Sequence, residues 1–220
     1  ASVAADVAGV LDVRPTHAAQ SEGGPPPLPG PAASAEQPPD QPLPGDAPFN
    51  NGRTLMDERA LAAWSRASRR ALRTLGPEHF GYAEPAGHPA LRAAIADYLR
   101  AARGVACEAS QVIVTAGAQQ AIDIAARVLI GPGAPVWVED PAYPTTVRAL
   151  TVAGAALEPI PVDAEGLIVA EGLARAPHAR AACVTASHQY PLGVTLSMPR
   201  RLELLAWGRA AGAWIIEDDY

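Results

Sequence analysis

The chain has 220 residues, of which 49% are hydrophobic, and a formal net charge of −6 at pH 7. That length and apolar content suffice for one domain with a real core, or for one domain and a tail. The acidic balance argues against nucleic-acid binding by this stretch itself, because affinity for phosphate depends on a basic surface.

The basic residues, cysteines and histidines argue against further classes of protein. All 17 basic residues are arginine, which we interpret as a composition bias and not as a binding function. Cys107 and Cys183 are far apart, and the five histidines form no ligand pair. Disulfide and zinc interpretations are therefore both weak, we expect no bound metal, and a reducing cytoplasm fits the composition best.

Residues 1 to about 48 are rich in proline, notably over 23–31 and 38–45, and lack periodic apolar positions. This composition predicts a linker, disordered or partly polyproline II, ahead of a domain that spans 49–220. Acidic residues and no basic start argue against a signal peptide. No apolar run is long enough to cross a membrane.

The domain opens with two predicted helices. Apolar residues over 55–75 follow helical spacing until Gly76 and Pro77 stop the pattern. A second helix begins at Pro89 and ends at Gly104, with proline in its first turn and glycine past its end.

From residue 112 onward, short apolar runs alternate with helical segments. The predicted strands cover residues 112–115, 136–139, 157–162, 182–185 and 214–217. The predicted helices cover residues 119–130, 144–153, 170–176 and 199–211. This alternation indicates an α/β fold with a mostly parallel sheet and helices on both faces. We expect the last apolar run to be a buried parallel strand.

Polar groups follow four of these strands, at the edge where open α/β sheets bind ligands. They are Thr115-Ala116-Gly117, Glu139-Asp140-Pro141, Ala186-Ser187-His188 and Asp218-Asp219-Tyr220. The small residues of the first group would let backbone N–H groups at a helix start approach a phosphate, although an ordinary tight turn explains them too.

Two further groups carry aromatic or charged side chains. Tyr143, on a proline-stiffened loop, suits stacking on a planar ligand, or else covers the edge of the core. The polar turn over 187–193 places further polar side chains at a strand end. Alternatively, it is a loop whose histidine only forms a hydrogen bond with the backbone. Asp218 and Tyr220 are the carboxylate and phenol that a pyridinium cofactor needs, the alternative being acids that solvate a strand end.

In order and spacing these motifs resemble the fold type I, pyridoxal-phosphate-dependent aminotransferases, and most closely the aminotransferase-like domain of the MocR/GabR regulators. The motifs that carry the resemblance are Tyr82-Ala83-Glu84-Pro85-Ala86-Gly87, Leu91-Arg92, Val114 to Ala121, Glu139-Asp140-Pro141 with Tyr143-Pro144, Ser187 to Gly193, and Glu217 to Tyr220. The resemblance implies an aspartate aminotransferase-like large domain, pyridoxal 5′-phosphate as cofactor, and a homodimer.

It also implies roles for individual residues. Ala118 and Gln119 would bind the cofactor phosphate through backbone amides, and Tyr143 would stack on the pyridine ring. Asp218 would pair with the ring nitrogen, with Asp219 as the alternative.

The ring oxygen is expected to contact Tyr220 and the residue where ordinary aminotransferases carry an asparagine. That position holds Tyr190 here. The departure leaves open whether Tyr190, Gln189 or His188 makes the contact.

The absence of lysine is the larger departure. Family members hold the cofactor as a Schiff base on a lysine that would lie past Tyr220, and an arginine further on binds the substrate carboxylate. The resemblance thus predicts an incomplete large domain without a catalytic residue of its own.

Two functions compete. We favour the effector-sensing domain of a transcription regulator, because of the linker and the turn over 187–193. It would respond to an amine or amino acid and bind DNA only through a winged-helix domain outside this chain. The alternative is a fragment of a class I/II aminotransferase that acts on an amino acid.

Overall fold

The computed structural model of the protein describes residues 56–220. The predicted linker, residues 1–48, lies outside the described residues. The chain divides into two compact units, residues 1–73 and 74–220, and each is described by itself.

In the first unit the described element is helix α1, Glu58–Thr74. The carboxylate of Asp57 precedes it and accepts a hydrogen bond from the Ala60 N–H at 2.7 Å, which caps the helix start. The predicted helix over residues 55–75 is confirmed. None of its residues is buried.

The second unit alternates helices and strands. Its helices are α2 (Pro89–Arg103), α3 (Ala118–Ala125), α4 (Pro144–Val152), α5 (Val169–Arg175) and α6 (Met198–Ala211). Its strands are β1 (Pro135–Asp140), β2 (Ala156–Asp163), β3 (Gly166–Leu167), β4 (Ala181–Val184) and β5 (Trp214–Glu217). Shorter turns cover Pro77–Phe80, Ala109–Gln111 and Ala126–Ile130, the last being a π-helical continuation of α3.

The strands form one sheet in the order β3-β2-β1-β4-β5. Strand β1 pairs in parallel with β2 and β4, and β4 pairs in parallel with β5. Only the short β3 runs antiparallel, against the end of β2. The predicted mostly parallel α/β sheet is therefore confirmed.

The sheet has a buried core on each face, because successive side chains of β1 point to opposite sides. Val136 and Val138 pack with residues of α3 and α4. Trp137 packs on the other face with residues of α5 and α6, and its ring stacks on Trp207 with centroids 3.7 Å apart. Helices on both faces leave the strand ends as the places where polar groups reach the surface.

One predicted strand is wrong. Residues 112–115 form no strand, although they are β-branched and apolar. A strand exists by pairing, and this segment has no sheet partner among residues 56–220. Its Val114 N–H donates to the Ala86 carbonyl at 2.9 Å instead, and only Val112 of the segment is buried, while Ile113 is 60% exposed.

The last strand also differs from expectation. Strand β5 is parallel, as predicted, but it is the edge of the described sheet and is not buried. Trp214 is 48% exposed, and Ile215 and Ile216 are half-buried. An edge strand has a neighbour on one side only, and this explains the incomplete burial.

Gly172 lies where a methyl group would strike the core. A Cβ added there would come within 2.7 Å of the Trp137 ring, which is completely buried. We expect Gly172→Ala to destabilise the second unit by about 1–3 kcal/mol, because the clash outweighs the better helix propensity of alanine. Gly208→Ala is the control, since its Cβ would approach the Ile215 side chain to 3.2 Å and the Ala213 carbonyl to 3.4 Å, both longer than the 2.7 Å at Gly172. Urea unfolding measures both; equal stability of the two variants would contradict the prediction.

Candidate functional site

The parallel pairing of β1, β4 and β5 brings three strand ends to one edge of the sheet. Val138 is in register with Cys183, and Val184 with Glu217. A small cleft of about 10 Å³ opens at this edge. Its polar and aromatic lining consists of Glu139, Tyr143, Thr146, Cys183, Thr185 and Asp218. Two of the residues predicted from sequence, Tyr143 and Asp218, are thus brought to one cleft.

Asp218 presents a half-buried carboxyl group to the cleft. Its backbone N–H donates to the Val184 carbonyl at 2.9 Å, which continues the ladder past β5. Burial raises the pKa of its carboxyl group, and the charge of Asp219 adds to the rise. Among the described residues, no side chain donates a hydrogen bond to this carboxylate.

Asp219 has a different environment. Its carboxylate forms an ion pair with Arg103, at the end of α2, with 2.8 Å between Nη1 and Oδ2. Asp219 is also absent from the lining of the cleft. The geometry therefore favours Asp218 over its neighbour as the acid available to a ligand.

Tyr143 stands at the start of α4 and is 43% exposed. The ring of Tyr190 contacts it edge-on, with centroids 5.1 Å apart and planes at 77°. Such edge-to-face pairs are a favoured aromatic arrangement. Together the two rings form an aromatic wall beside the cleft.

Three residues are candidates for the contact with the ring oxygen, and one of them, Gln189, is fully engaged in hydrogen bonds within the protein. It is 2% exposed. Its amide nitrogen Nε2 donates to Glu139, Pro141 and Tyr190, and its amide oxygen accepts from the Leu192 N–H. With these contacts in place, Gln189 has no free group for a ligand.

His188 and Tyr220 lie apart from the cleft lining. His188 is exposed, and its ring centroid is 6.4 Å from that of Tyr220. Tyr220 is 68% exposed. The structure does not bring Tyr220 into the cleft that Asp218 and Tyr143 share.

The predicted phosphate turn is a separate open concavity at the start of α3, lined by Ala116, Gly117, Gln119, Gln120 and Asp123. Gly117 has φ of 153°, a backbone conformation that favours glycine. The Ala116 N–H donates to the Gln120 side chain at 2.6 Å, whereas no described residue accepts from the N–H groups of Ala118 and Gln119.

Two polar residues of the cleft have no role predicted from the sequence, although Glu139 stands among the polar groups at the predicted strand ends. Glu139 is 5% exposed and accepts hydrogen bonds from Thr185 and Gln189. Thr146 is 7% exposed, and within the described chain its Oγ1 has no hydrogen-bond partner. A sequence signal for Glu139 did exist, because the two-residue period of a strand places it on the face of Trp137. No comparable signal marks Thr146.

Cys183 lines the cleft but is not a nucleophile. Burial, followed by the charges of Asp218 and Glu139, raises the pKa of its thiol to about 12. The thiol therefore stays protonated at neutral pH. Within residues 56–220, no group of three or more His, Cys, Asp or Glu side chains is arranged to hold a metal ion.

Comparison with known proteins identifies the family. The family described as "Aminotransferase class I and II" matches this chain over residues 48–220. The chain belongs to this family, whose members and structural neighbours depend on pyridoxal phosphate.

Curated relatives include two regulators and one enzyme. The probable rhizopine catabolism regulatory protein MocR of Rhizobium meliloti is 41% identical over 84% of this chain and 37% of its own length. The pyridoxine biosynthesis regulator PdxR of Corynebacterium glutamicum is 40% identical over 76% of this chain and 34% of its own. The 2-aminoadipate transaminase of Thermus thermophilus is 31% identical over 70% of this chain and 38% of its own length. The chain thus spans about a third of the length of the regulators it matches.

Solved structures show the same fold. An archaeal alanine:glyoxylate aminotransferase has a TM-score of 0.64 at 30% identity, over 71% of this chain and 40% of its own. A multiple substrate aminotransferase of Thermococcus profundus has a TM-score of 0.65 at 27% identity, over 72% and 41%.

The raised pKa of Asp218 predicts a pH dependence of folding. A carboxyl group whose pKa is raised by folding binds more protons in the folded state, so stability increases as pH falls from neutral through that raised pKa. We expect Asp218→Asn to be more stable than the parent at pH 7 and to lose part of this increase. The free energy of urea unfolding between pH 7 and about pH 4, the ordinary carboxyl range, measures it.

Asp163 supplies the opposite control. The Glu165 N–H, and then Arg200, lower the pKa of its carboxyl group. That stability is present at neutral pH and is lost as pH falls through the lowered pKa, so Asp163→Asn should be less stable than the parent at pH 7. The same direction of change in both variants would contradict the assignment.

Proposed function

We propose that this chain is the effector-sensing, aminotransferase-like domain of a pyridoxal-phosphate-dependent transcription regulator. The observation that carries the proposal is the 41% identity to the regulator MocR over 186 residues, in a chain whose cleft joins Tyr143 and Asp218. The similarity to PdxR supports the same role.

The residues of the sheet edge fit pyridoxal phosphate. The fit rests on a buried hydroxyl without a partner, Thr146 Oγ1, and on the half-buried Asp218 carboxylate, which no described side chain neutralises. Both line a cleft beside the Tyr143 ring. A cationic planar ring with polar substituents, lying across the mouth of this cleft, would pair with these groups, since buried polar atoms need partners.

Each part of the cofactor has proposed partners in this chain. The backbone N–H groups of Ala118 and Gln119 would hold the phosphate, aided by the dipole of α3. Asp218 would hold a proton on the ring nitrogen through charge pairing. Tyr143 would cover one face of the ring, and Tyr190, whose ring contacts Tyr143, would supply a hydroxyl group for the ring oxygen.

When bound, the cofactor supplies an aldehyde that reacts with amines and a ring that withdraws electrons. Because the chain contains no lysine, a covalent anchor for the cofactor must come from outside these 220 residues. The cleft residues would orient the ring and keep its nitrogen charged.

The remaining proposals follow from a regulatory role. An amine or amino acid would be the effector, a separate domain would bind DNA, the domain would form a homodimer, and the protein would act in the cytoplasm. Among residues 56–220 no helix is long and apolar enough to cross a membrane. An aminotransferase acting on an amino acid is the alternative, supported by the 31% identity to 2-aminoadipate transaminase.

The complete protein that contains this chain tests the regulatory role. We expect it to bind DNA from its own promoter region, with an affinity that changes when pyridoxal phosphate and an amine are added. Asp218→Asn should lower cofactor affinity by about 10–100-fold, because a charge-assisted hydrogen bond is lost, and should abolish the effector response.

Asp219→Asn is the matched control and should keep both properties, since that carboxylate faces Arg103. Mobility shift and absorption titrations measure them. DNA binding that ignores the cofactor would contradict the proposal, and so would amino-acid turnover without DNA binding. If only Asp219→Asn had an effect, the assignment would be wrong by one residue.

A further inference from the structure

The buried carboxylate of Glu139 is used by none of the roles proposed above. It ends the apolar run of β1, and among the described residues it has no ion-pair partner. Burial raises the pKa of this carboxyl group. A buried charge without a counter-ion is costly unless neutral hydrogen-bond donors surround it. The carboxylate of Glu139 therefore depends on such donors.

Two residues that follow β4 supply those donors. The Thr185 N–H donates to Glu139 Oε1 at 3.2 Å, and the Thr185 hydroxyl donates to Oε2 at 2.6 Å. Gln189 Nε2 donates to Oε2 at 3.2 Å. The carboxylate of β1 thus fastens the start of the turn over residues 185–193, which we term the clamped turn.

The hydrogen bonds continue from these two residues into the clamped turn. The Tyr190 N–H donates to the Thr185 hydroxyl oxygen at 3.3 Å, and the Leu192 N–H donates to Gln189 Oε1 at 3.1 Å. Gln189 Nε2 also donates to the Tyr190 carbonyl at 2.7 Å. The backbone of Tyr190 is therefore held on both sides by residues that Glu139 fixes.

The clamped turn is connected to the cleft by the contact between the rings of Tyr190 and Tyr143. Tyr190 places its ring edge-on against Tyr143, with centroids 5.1 Å apart. A displacement of the Tyr190 backbone moves this ring away from Tyr143.

We propose that Glu139 is a positioning residue, which holds Tyr190 against Tyr143 through Thr185 and Gln189. It thereby sets the aromatic wall of the cleft without touching a ligand itself. Its effect on cofactor affinity rests on the proposed function, whereas its effect on the clamped turn does not.

Hydrogen exchange of this chain tests the positioning. Glu139→Gln keeps the size of the side chain but removes the charge and places an amide against the donors. We expect exchange of the Thr185, Tyr190 and Leu192 amides to accelerate about tenfold or more, because hydrogen bonds to a charged group are lost. The amides of β1 and β4 that lie in the core should keep their protection.

A matched pair at Thr185 separates the hydroxyl from the shape of the side chain. Thr185→Val removes the hydroxyl and should accelerate exchange of the Tyr190 amide, whereas Thr185→Ser keeps it and should restore protection. Thr151→Val is the control, because Thr151 donates to the Val147 carbonyl on α4, outside the clamped turn. Parent-like exchange in both Glu139→Gln and Thr185→Val would overturn the proposal.

The second readout is the affinity for pyridoxamine 5′-phosphate, which needs no lysine to bind. Glu139→Gln and Thr185→Val should each weaken binding by about tenfold, and Thr185→Ser should not. Faster exchange with unchanged affinity would overturn the positioning role. Failure of the parent chain to bind at all would count against the proposed function, and hydrogen exchange would still decide whether Glu139 holds the turn.

Discussion

The parallel pairing of β1, β4 and β5 is the constraint on which the rest of the site depends. Parallel strands all end at one edge, so residues that are 46 positions apart, such as Glu139 and Thr185, come within hydrogen-bond distance. The pairing is supported by the two cores on either face, which include the stacked rings of Trp137 and Trp207. Without that support the strand ends would not be held together.

Two carboxyl groups at this edge have opposite environments. Glu139 accepts three hydrogen bonds from neutral donors of Thr185 and Gln189, and these donors stabilise its charge within the protein. Asp218 lies in the same cleft with no side-chain donor among the described residues, and its neighbour Asp219 is engaged by Arg103. The first carboxylate therefore serves the structure, while the second is available to a cation from outside.

The apolar pattern was enough to predict the architecture. Strands β1, β2, β4 and β5 fall within about two residues of the predicted positions, because alternating apolar runs and helices are strong signals. The strand over residues 112–115 was wrong, since its apolar pattern cannot reveal whether a pairing partner is present. Burial of β5 was wrong for the same reason.

Two of the residues predicted for the site lie together in the structure. Tyr143 and Asp218 do share a cleft, and Gln189 proved to be an internal hydrogen-bonding residue, which the open alternatives at the 187–193 turn did not distinguish. The roles of Thr146 and Glu139 could not be predicted, because they depend on contacts between distant segments. Motif spacing shows which strand end carries a residue, but not which neighbour satisfies it.

We propose that this sheet edge holds a pyridinium ring against Asp218. The most direct measurement is the ¹⁵N chemical shift of the ring nitrogen in ¹⁵N-labelled pyridoxamine 5′-phosphate bound to the chain. We predict the shift of a protonated nitrogen, retained well above the pH at which the free ligand loses that proton, and a return to the free titration in Asp218→Asn. A bound ligand whose nitrogen titrates as it does in water, or does so equally in both proteins, would contradict the claim.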